Sequence, residues 1–140
     1  WVVTVVAESA IPTVQSLIRW DPVGHAEAEL DERTEVGLPP SVHVAALDEP
    51  AAAVDALVAA AGLPGPLAGP MDLLGPVDLP AGVRRPAGID PALEVVRMLV
   101  RVDRDQGLVL AGAFRRAVAT LSTRRDNVPV RVQIDPLHIG

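Results

Sequence analysis

Apolar residues occur along this chain in short blocks whose spacing alternates between that of a strand and that of a helix. Residues 2–7 form a nearly continuous apolar run, which is typical of a strand buried on both faces. A proline at position 12 opens a predicted helix that ends near Trp20. Asp21 and Pro22 supply an N-cap and a first-turn proline for a second helix toward Glu35. This first section cannot enclose a core of its own.

From Ser41 onward, strict alternation predicts strands and apolar positions three and four residues apart predict helices. The predicted elements are a strand over 42–46, a helix that begins with Asp48, Glu49 and Pro50 and ends at Gly62, an edge strand over 71–76, a strand over 95–102, a helix over 107–122 and a strand over 128–134. This order is that of a ferredoxin-like βαββαβ domain, an antiparallel sheet with both helices on one face. We therefore expect the α+β class.

The composition excludes several kinds of site. The 140 residues include 49% hydrophobic residues but only Trp1, Trp20 and Phe114 as aromatics. A site that stacks bases on rings, including an RNA-recognition sheet, is therefore not expected. Without cysteine the chain has neither disulfides nor a thiolate zinc site. The sequence shows no apolar run of membrane-spanning length and no signal-peptide pattern, so a cytoplasmic location is expected.

Charge is distributed unevenly along the chain, whose net charge is -6. Residues 1–83 contain two arginines against twelve acids, whereas residues 84–131 contain ten arginines against five acids. A basic end on an acidic body suits a phosphate-bearing or acidic partner. The alternative is that these arginines form the solvated faces of an ordinary domain.

Two groups of arginines are candidates for DNA binding. Arg97 and Arg101 lie four residues apart on a predicted strand and therefore point to the same side, which we expect to be the exposed face of the sheet. Arg131 and His43 occupy the polar faces of their own strands. The second group, on and just after the last helix, comprises Arg115, Arg116, Arg124 and Arg125. Such clusters neutralise phosphates without reading sequence.

Motifs for catalysis are not evident. The glycine-rich segments lack the G-x-x-x-x-G-K-[ST] arrangement of a nucleotide-binding loop. The acidic stretch over 27–35 contains Arg33 and is typical of a solvated helix face, and the three histidines lack metal-ligand spacing. We expect no catalytic residue, no metal and no cofactor in this segment.

Two ordered signatures carry a family resemblance. Residues 28–33 read Ala-Glu-Leu-Asp-Glu-Arg and, after four residues, 38–40 read Leu-Pro-Pro; residues 131–136 read Arg-Val-Gln-Ile-Asp-Pro. This pair resembles the C-terminal region of the replication-restart DNA helicase PriA, or primosomal protein N′, although Ser41 stands where that family has an aromatic residue. The resemblance implies that residues 1–40 are the end of the second helicase lobe with its connector, and that residues 41–140 are a small C-terminal α+β domain.

The resemblance also implies a function. PriA is an ATP-dependent 3′ to 5′ helicase that binds forked DNA and reloads the replication machinery through other primosome proteins, so ATP with magnesium, and zinc, are expected only in upstream parts. An arginine corresponding to Arg104 is implicated in holding the acidic tail of single-stranded DNA-binding protein. A local turn ion pair with Asp103 or Asp105 is the alternative role for Arg104. The rival function for the domain is a ferredoxin-like regulatory or oligomerisation module.

Overall fold

The computed structural model describes residues 4, 8, 10–123 and 131–137. Most of the strand predicted over 2–7 lies outside these residues, as do Val128 and Val130 of the predicted last strand. The elements are α1 (Pro12–Arg19), α2 (Pro22–Glu35), β1 (Val42–Glu49), α3 (Ala51–Ala61), β2 (Met71–Asp78), β3 (Val96–Asp103), a short 3-10 turn (Arg104–Gln106), α4 (Gly107–Ser122) and β4 (Val132–Ile134).

The first two helices follow the capping signals in the sequence. Trp20 adopts a left-handed conformation, with φ of 53°, and ends α1. Asp21 then caps α2, because its Oδ1 accepts a hydrogen bond from the N–H of Gly24 at 2.9 Å. Both predicted helices are thereby confirmed, and among their described residues neither helix has a fully buried side chain.

One predicted boundary is wrong. Asp48 and Glu49 were expected to start a helix, but both are the last residues of β1 and both are buried. The helix begins only after Pro50 and ends at Gly62, whose φ of 68° suits glycine. Two adjacent acids before a proline are a typical helix start in sequence. Here the strand continues through them because each carboxylate has a partner within the fold.

The sheet has the order β2-β3-β1-β4, and each neighbouring pair is antiparallel. The predicted edge position of β2 is confirmed. The register between β2 and β3 shifts after Leu74, near Gly75, which has a φ of 118°. A Cβ on Gly75 would lie 2.7 Å from the carbonyl oxygen of Arg97, so this bulge requires glycine.

The core lies between one face of the sheet and the helices α3 and α4. Its fully buried side chains include Leu47, Leu57, Val100, Leu110 and Phe114. The helix periodicity predicted over 107–122 is confirmed, and the described structure is α+β with a four-stranded antiparallel sheet. The opposite face carries a smaller apolar cluster, made of Val44, Ala46 and Leu99 with Val42 beside them.

Candidate nucleic-acid interface

Arg97 lies on the sheet face opposite to the helices, as predicted, but its side chain is only 1% exposed. Asp48 on β1 is its direct cross-strand partner. The Nε of Arg97 donates to Oδ1 of Asp48 at 2.7 Å, and Nη2 donates to Oδ2 at 2.8 Å. This is a buried bidentate pair. The expectation that Arg97 is an exposed cation of an open platform is therefore wrong.

Arg101 on the same strand is partly exposed, and its hydrogen bonds connect β3 to β2 and to the segment that follows α2. Its Nε and Nη2 donate to Oδ2 of Asp72 on β2 at 3.0 and 2.8 Å. Its Nη1 donates to the carbonyl oxygens of Val36 and Gly37, at 3.4 and 3.3 Å, just after α2. The side chain is 30% exposed, and its donors are directed at protein acceptors. Arg101 therefore docks the end of α2 on the sheet.

His43 was expected on the polar face of its strand, and this is wrong. Its register partner is Val102, a core residue on the face that the helices cover, and its ring packs against Gly107 at the start of α4. The Nδ1 atom lies 2.7 Å from Oδ2 of Asp135. Alternation alone suggested a polar face for His43, but the residue lies at the start of β1 on the helix side of the sheet, where its ring contacts Asp135.

Asp135 attaches β4 to β1 through side-chain and backbone hydrogen bonds. Its Oδ1 accepts the N–H of Val44 at 2.9 Å, and its own N–H donates to the carbonyl oxygen of Val44 at 2.7 Å. The residue has a φ of 48°, a left-handed conformation that aspartate tolerates better than most residues. The Asp-Pro signature therefore has a structural role that the sequence alone did not reveal, because Asp135 attaches β4 to β1.

Four of the remaining candidate arginines are exposed on the surface. Arg115 and Arg116 are exposed on α4, and Arg131 is exposed just before β4. Arg104 is exposed in the 3-10 turn after β3. Within residues 10–123 and 131–137, no ion pair joins these four guanidinium groups to an acid, and the local pair of Arg104 with Asp103 or Asp105 is not formed. Arg124 and Arg125 lie outside the described residues.

Glu49 is a buried acid that sequence reasoning did not single out. It is 0% exposed, and its Oε1 accepts the backbone N–H of Arg131 at 2.8 Å. Its Oε2 has no hydrogen-bond partner among the described residues. Burial raises the pKa of Glu49; the N–H of Arg131 opposes this shift, and the charge of Asp48 adds to it.

The acidic and proline-rich signature at 28–40 covers the second half of α2 and most of the connector between α2 and β1. Arg33 donates from Nε to Oε1 of Glu29 at 2.7 Å and from Nη1 to the carbonyl oxygen of Pro39 at 3.2 Å. The hydroxyl of Ser41 donates to the carbonyl oxygen of Leu38 at 2.7 Å. Side chains on both sides of the two prolines thus hold the turn into the sheet.

The sequence matches the family described as "Primosomal protein N C-terminal domain" over residues 34–137. The chain belongs to this family. The match begins in the last turn of α2 and ends just after Asp135 and Pro136, so it includes both the sheet and the residues that attach β4 to β1.

Curated relatives carry the name "Probable replication restart protein PriA". Two from Mycobacterium tuberculosis and Mycobacterium bovis are each 70% identical over 148 residues, covering 99% of this chain and 22% of the relative. One from Mycobacterium leprae is 61% identical over 141 residues, covering 99% of this chain and 21% of the relative. The chain thus spans about a fifth of the length of these relatives, and the predicted resemblance to PriA is confirmed.

The described part of this PriA C-terminal domain places the predicted cations at separate locations. Arg97 and Arg131 border one cavity on the sheet face, whereas Arg115 and Arg116 are on the helix layer. Across the part of the chain that the structure describes, no helix is both long and apolar enough to cross a membrane. The same residues contain no group of three or more histidine or acidic side chains placed to hold a metal ion.

Proposed function

We propose that this chain is the C-terminal part of a PriA-type replication-restart protein, and that it contacts the phosphate backbone of forked or single-stranded DNA. One observation carries the proposal: α4 has two exposed arginines and no acid, on a chain whose net charge is -6. A local positive surface on an acidic protein favours a polyanionic partner at that surface.

The proposal divides the arginines by their surroundings. Arg115, Arg116 and Arg131 are assigned to phosphates because they are exposed, and Arg124 and Arg125 are assigned with them because they follow α4 directly in the sequence. Arg97 and Arg101 are assigned to positioning, since their donors are engaged by Asp48, by Asp72 and by carbonyl oxygens. Contacts of this kind give affinity without base preference.

A second contact is proposed at Arg104, for the acidic C-terminal tail of single-stranded DNA-binding protein. The exposed guanidinium has no ion pair among the described residues, which leaves its fork available for a terminal carboxylate. The remaining primosome proteins are proposed as partners of the parent protein.

The parent is proposed to be an ATP-dependent helicase that acts in the cytoplasm, with its ATP and zinc sites upstream of this segment. The helices α1 and α2 are proposed to be the end of its second helicase lobe. In support, Leu17, Ile18 and Trp20 are exposed apolar side chains of this section. The strand order β2-β3-β1-β4 supports a ferredoxin-like topology for the domain that begins at residue 41.

Fluorescence anisotropy of a labelled forked DNA, titrated at low salt, tests the DNA contact. The variant Arg115→Gln/Arg116→Gln is expected to bind more weakly than the wild-type chain. The control is Arg19→Gln, which removes an exposed arginine of α1 and should leave binding unchanged. Equal binding by the double variant, or no binding by the folded wild-type chain, would contradict the proposal.

A titration with a synthetic acidic tail peptide of single-stranded DNA-binding protein tests Arg104. The expected result is loss of peptide binding in Arg104→Gln, with Arg19→Gln unaffected. Because the peptide contains no phosphate, this experiment reports on the partner contact independently of DNA.

A further inference from the structure

A cavity of about 210 Å³ lies on the sheet face opposite to α3 and α4. Arg97 forms part of its wall, and Arg131 and Gln133 border it from the C-terminal strand. The other wall comes from the segment between β2 and β3 and includes Arg84. The remaining lining residues are Gly82, Val83, Pro136 and Leu137. Three arginines from distant parts of the sequence therefore meet around one small space.

Among the described residues around this cavity, positive charge exceeds negative charge. Asp48 neutralises Arg97 through two hydrogen bonds, and none of the lining residues that the structure describes is an acid. Within the described ranges, the side chains of Arg84 and Arg131 form neither a hydrogen bond nor an ion pair. The neighbouring Arg85 contrasts with them, because its Nη2 donates to the carbonyl oxygens of Asp90 and Leu93.

Like charges that border one space repel each other, and a bound anion removes that cost. Guanidinium groups match the oxygens of a phosphate, to which they donate two hydrogen bonds in a planar fork. The amide side chain of Gln133 adds a further donor at the same wall. We infer that this cavity binds one phosphate group, held by Arg84 and Arg131, an inference that rests on the proposed DNA contact for its biological source.

The volume limits what can enter. Pockets for whole drug-sized or cofactor-sized ligands measure about 300 to 1,000 Å³, so a cavity of this size suits a single anionic group and not a complete nucleotide. The group is either an internucleotide phosphate of DNA or a free phosphate. Arg97 acts here as a positioning residue, because its bonds to Asp48 fix the wall that it shares with Arg131, opposite to Arg84.

The test is an NMR titration of the isotopically labelled 140-residue chain, first with inorganic phosphate and then with a short thymidine oligonucleotide. Saturable shifts are expected at the resonances of Arg84, Arg131 and Gln133 with both ligands if an internucleotide phosphate is the source. Shifts with inorganic phosphate alone would identify free phosphate as the ligand. The variant Arg84→Gln/Arg131→Gln should abolish the shift at Gln133, and the control Arg19→Gln, on α1, should leave it intact.

For a single-stranded oligonucleotide, losing this one phosphate contact in Arg84→Gln/Arg131→Gln is expected to make the slope of log affinity against log salt shallower by about 0.7. Absence of saturable shifts with both ligands, or shifts that persist in Arg84→Gln/Arg131→Gln, would overturn the inference. Oligonucleotide binding that depends only on Arg115 and Arg116 would support the proposed function and overturn this site. Saturable shifts at Arg84 with inorganic phosphate, in a chain that binds no DNA, would support this site and contradict the proposed DNA contact.

Discussion

Arg97 and Asp48 form a buried bidentate ion pair that joins β3 to β1, with 1% of the arginine and 3% of the aspartate exposed. The pair sits on the face of the sheet that was expected to be an open basic platform. Arg97, which the sequence indicated as a candidate DNA contact, therefore stabilises the fold through Asp48. Breaking such a pair leaves one buried charge without compensation, which is far more costly than losing an exposed pair.

The first prediction concerns this pair. Arg97→Ala is expected to lower the free energy of unfolding by about 3 to 5 kcal/mol, because Asp48 would remain buried and unpaired. Arg101→Ala, which breaks the exposed pair with Asp72, should cost about 1 kcal/mol or less. Urea denaturation measures both. Equal losses of unfolding free energy in the two variants would contradict the distinction between the buried and the exposed pair. The double variant Arg97→Leu/Asp48→Leu should recover most of the stability lost in Arg97→Ala, because it removes both buried charges.

The second prediction concerns the junction between α2 and the sheet. Gly37 has a φ of 65°, and a Cβ there would lie 2.6 Å from Nη1 of Arg101. Gly37→Ala should therefore destabilise by more than about 1 kcal/mol, through backbone strain and displacement of Arg101.

Gly62→Ala is the matched control for Gly37→Ala. Its φ is 68°, but a Cβ there would meet no atom within 4 Å. The difference between the two free energies of unfolding reports the contact with Arg101 alone. Identical values would show that this contact does not constrain the junction.

The third prediction concerns the attachment of β4. Asp135→Ala removes the acceptor for the N–H of Val44 and the partner of His43, so a loss of about 1 to 3 kcal/mol is expected. Asp55→Ala, at an exposed position on α3, should change stability by about 0.5 kcal/mol or less. Hydrogen exchange should show faster opening at Val44 in Asp135→Ala. Unchanged exchange there would contradict the role assigned to the carboxylate.

The fourth prediction uses the raised pKa of Glu49. A carboxyl whose pKa is higher in the folded state binds its proton more tightly there, so folding is favoured most when the group is protonated. That contribution is complete below the unfolded pKa of about 4.3 and is lost as pH rises through the higher folded pKa. Glu49→Gln cannot ionise, and its stability relative to the wild-type chain should increase from pH 4 to pH 8.

Urea denaturation at about pH 4, 6 and 8 measures this trend, with Glu94→Gln as the control at an exposed acid. The backbone N–H of Arg131 keeps an acceptor in Glu49→Gln, because the amide oxygen can replace Oε1. If the free energies of unfolding of Glu49→Gln and the wild-type chain differ by the same amount at every pH, the raised pKa of Glu49 is contradicted.

The sequence was sufficient for most of the fold because local signals dominate there. Apolar spacing predicted α4 with the bounds that the structure has, and Asp21 with Pro22 predicted the start of α2. The proline at position 76 indicated the edge position of β2. Each signal depends on residues close together in the chain.

The candidate site was less predictable because it depends on contacts between distant residues. Alternation placed Arg97 on the correct face, but only the register that pairs it with Asp48 shows that its charge is neutralised. The sequence hid this pairing, because Asp48 was expected to begin the following helix and not to lie on the neighbouring strand. Arg84 gave no comparable signal, because it lies in a segment without periodicity between β2 and β3.

The salt dependence of forked-DNA binding by the wild-type chain tests the central claim most directly. If exposed arginines neutralise phosphates, the logarithm of the affinity should fall linearly with the logarithm of salt concentration between about 50 and about 200 mM. For duplex DNA each phosphate contact contributes about -0.9 to this slope, so three or more contacts give a slope steeper than about -2.5. A folded chain that shows no binding at low salt, or an affinity independent of salt, would contradict the account.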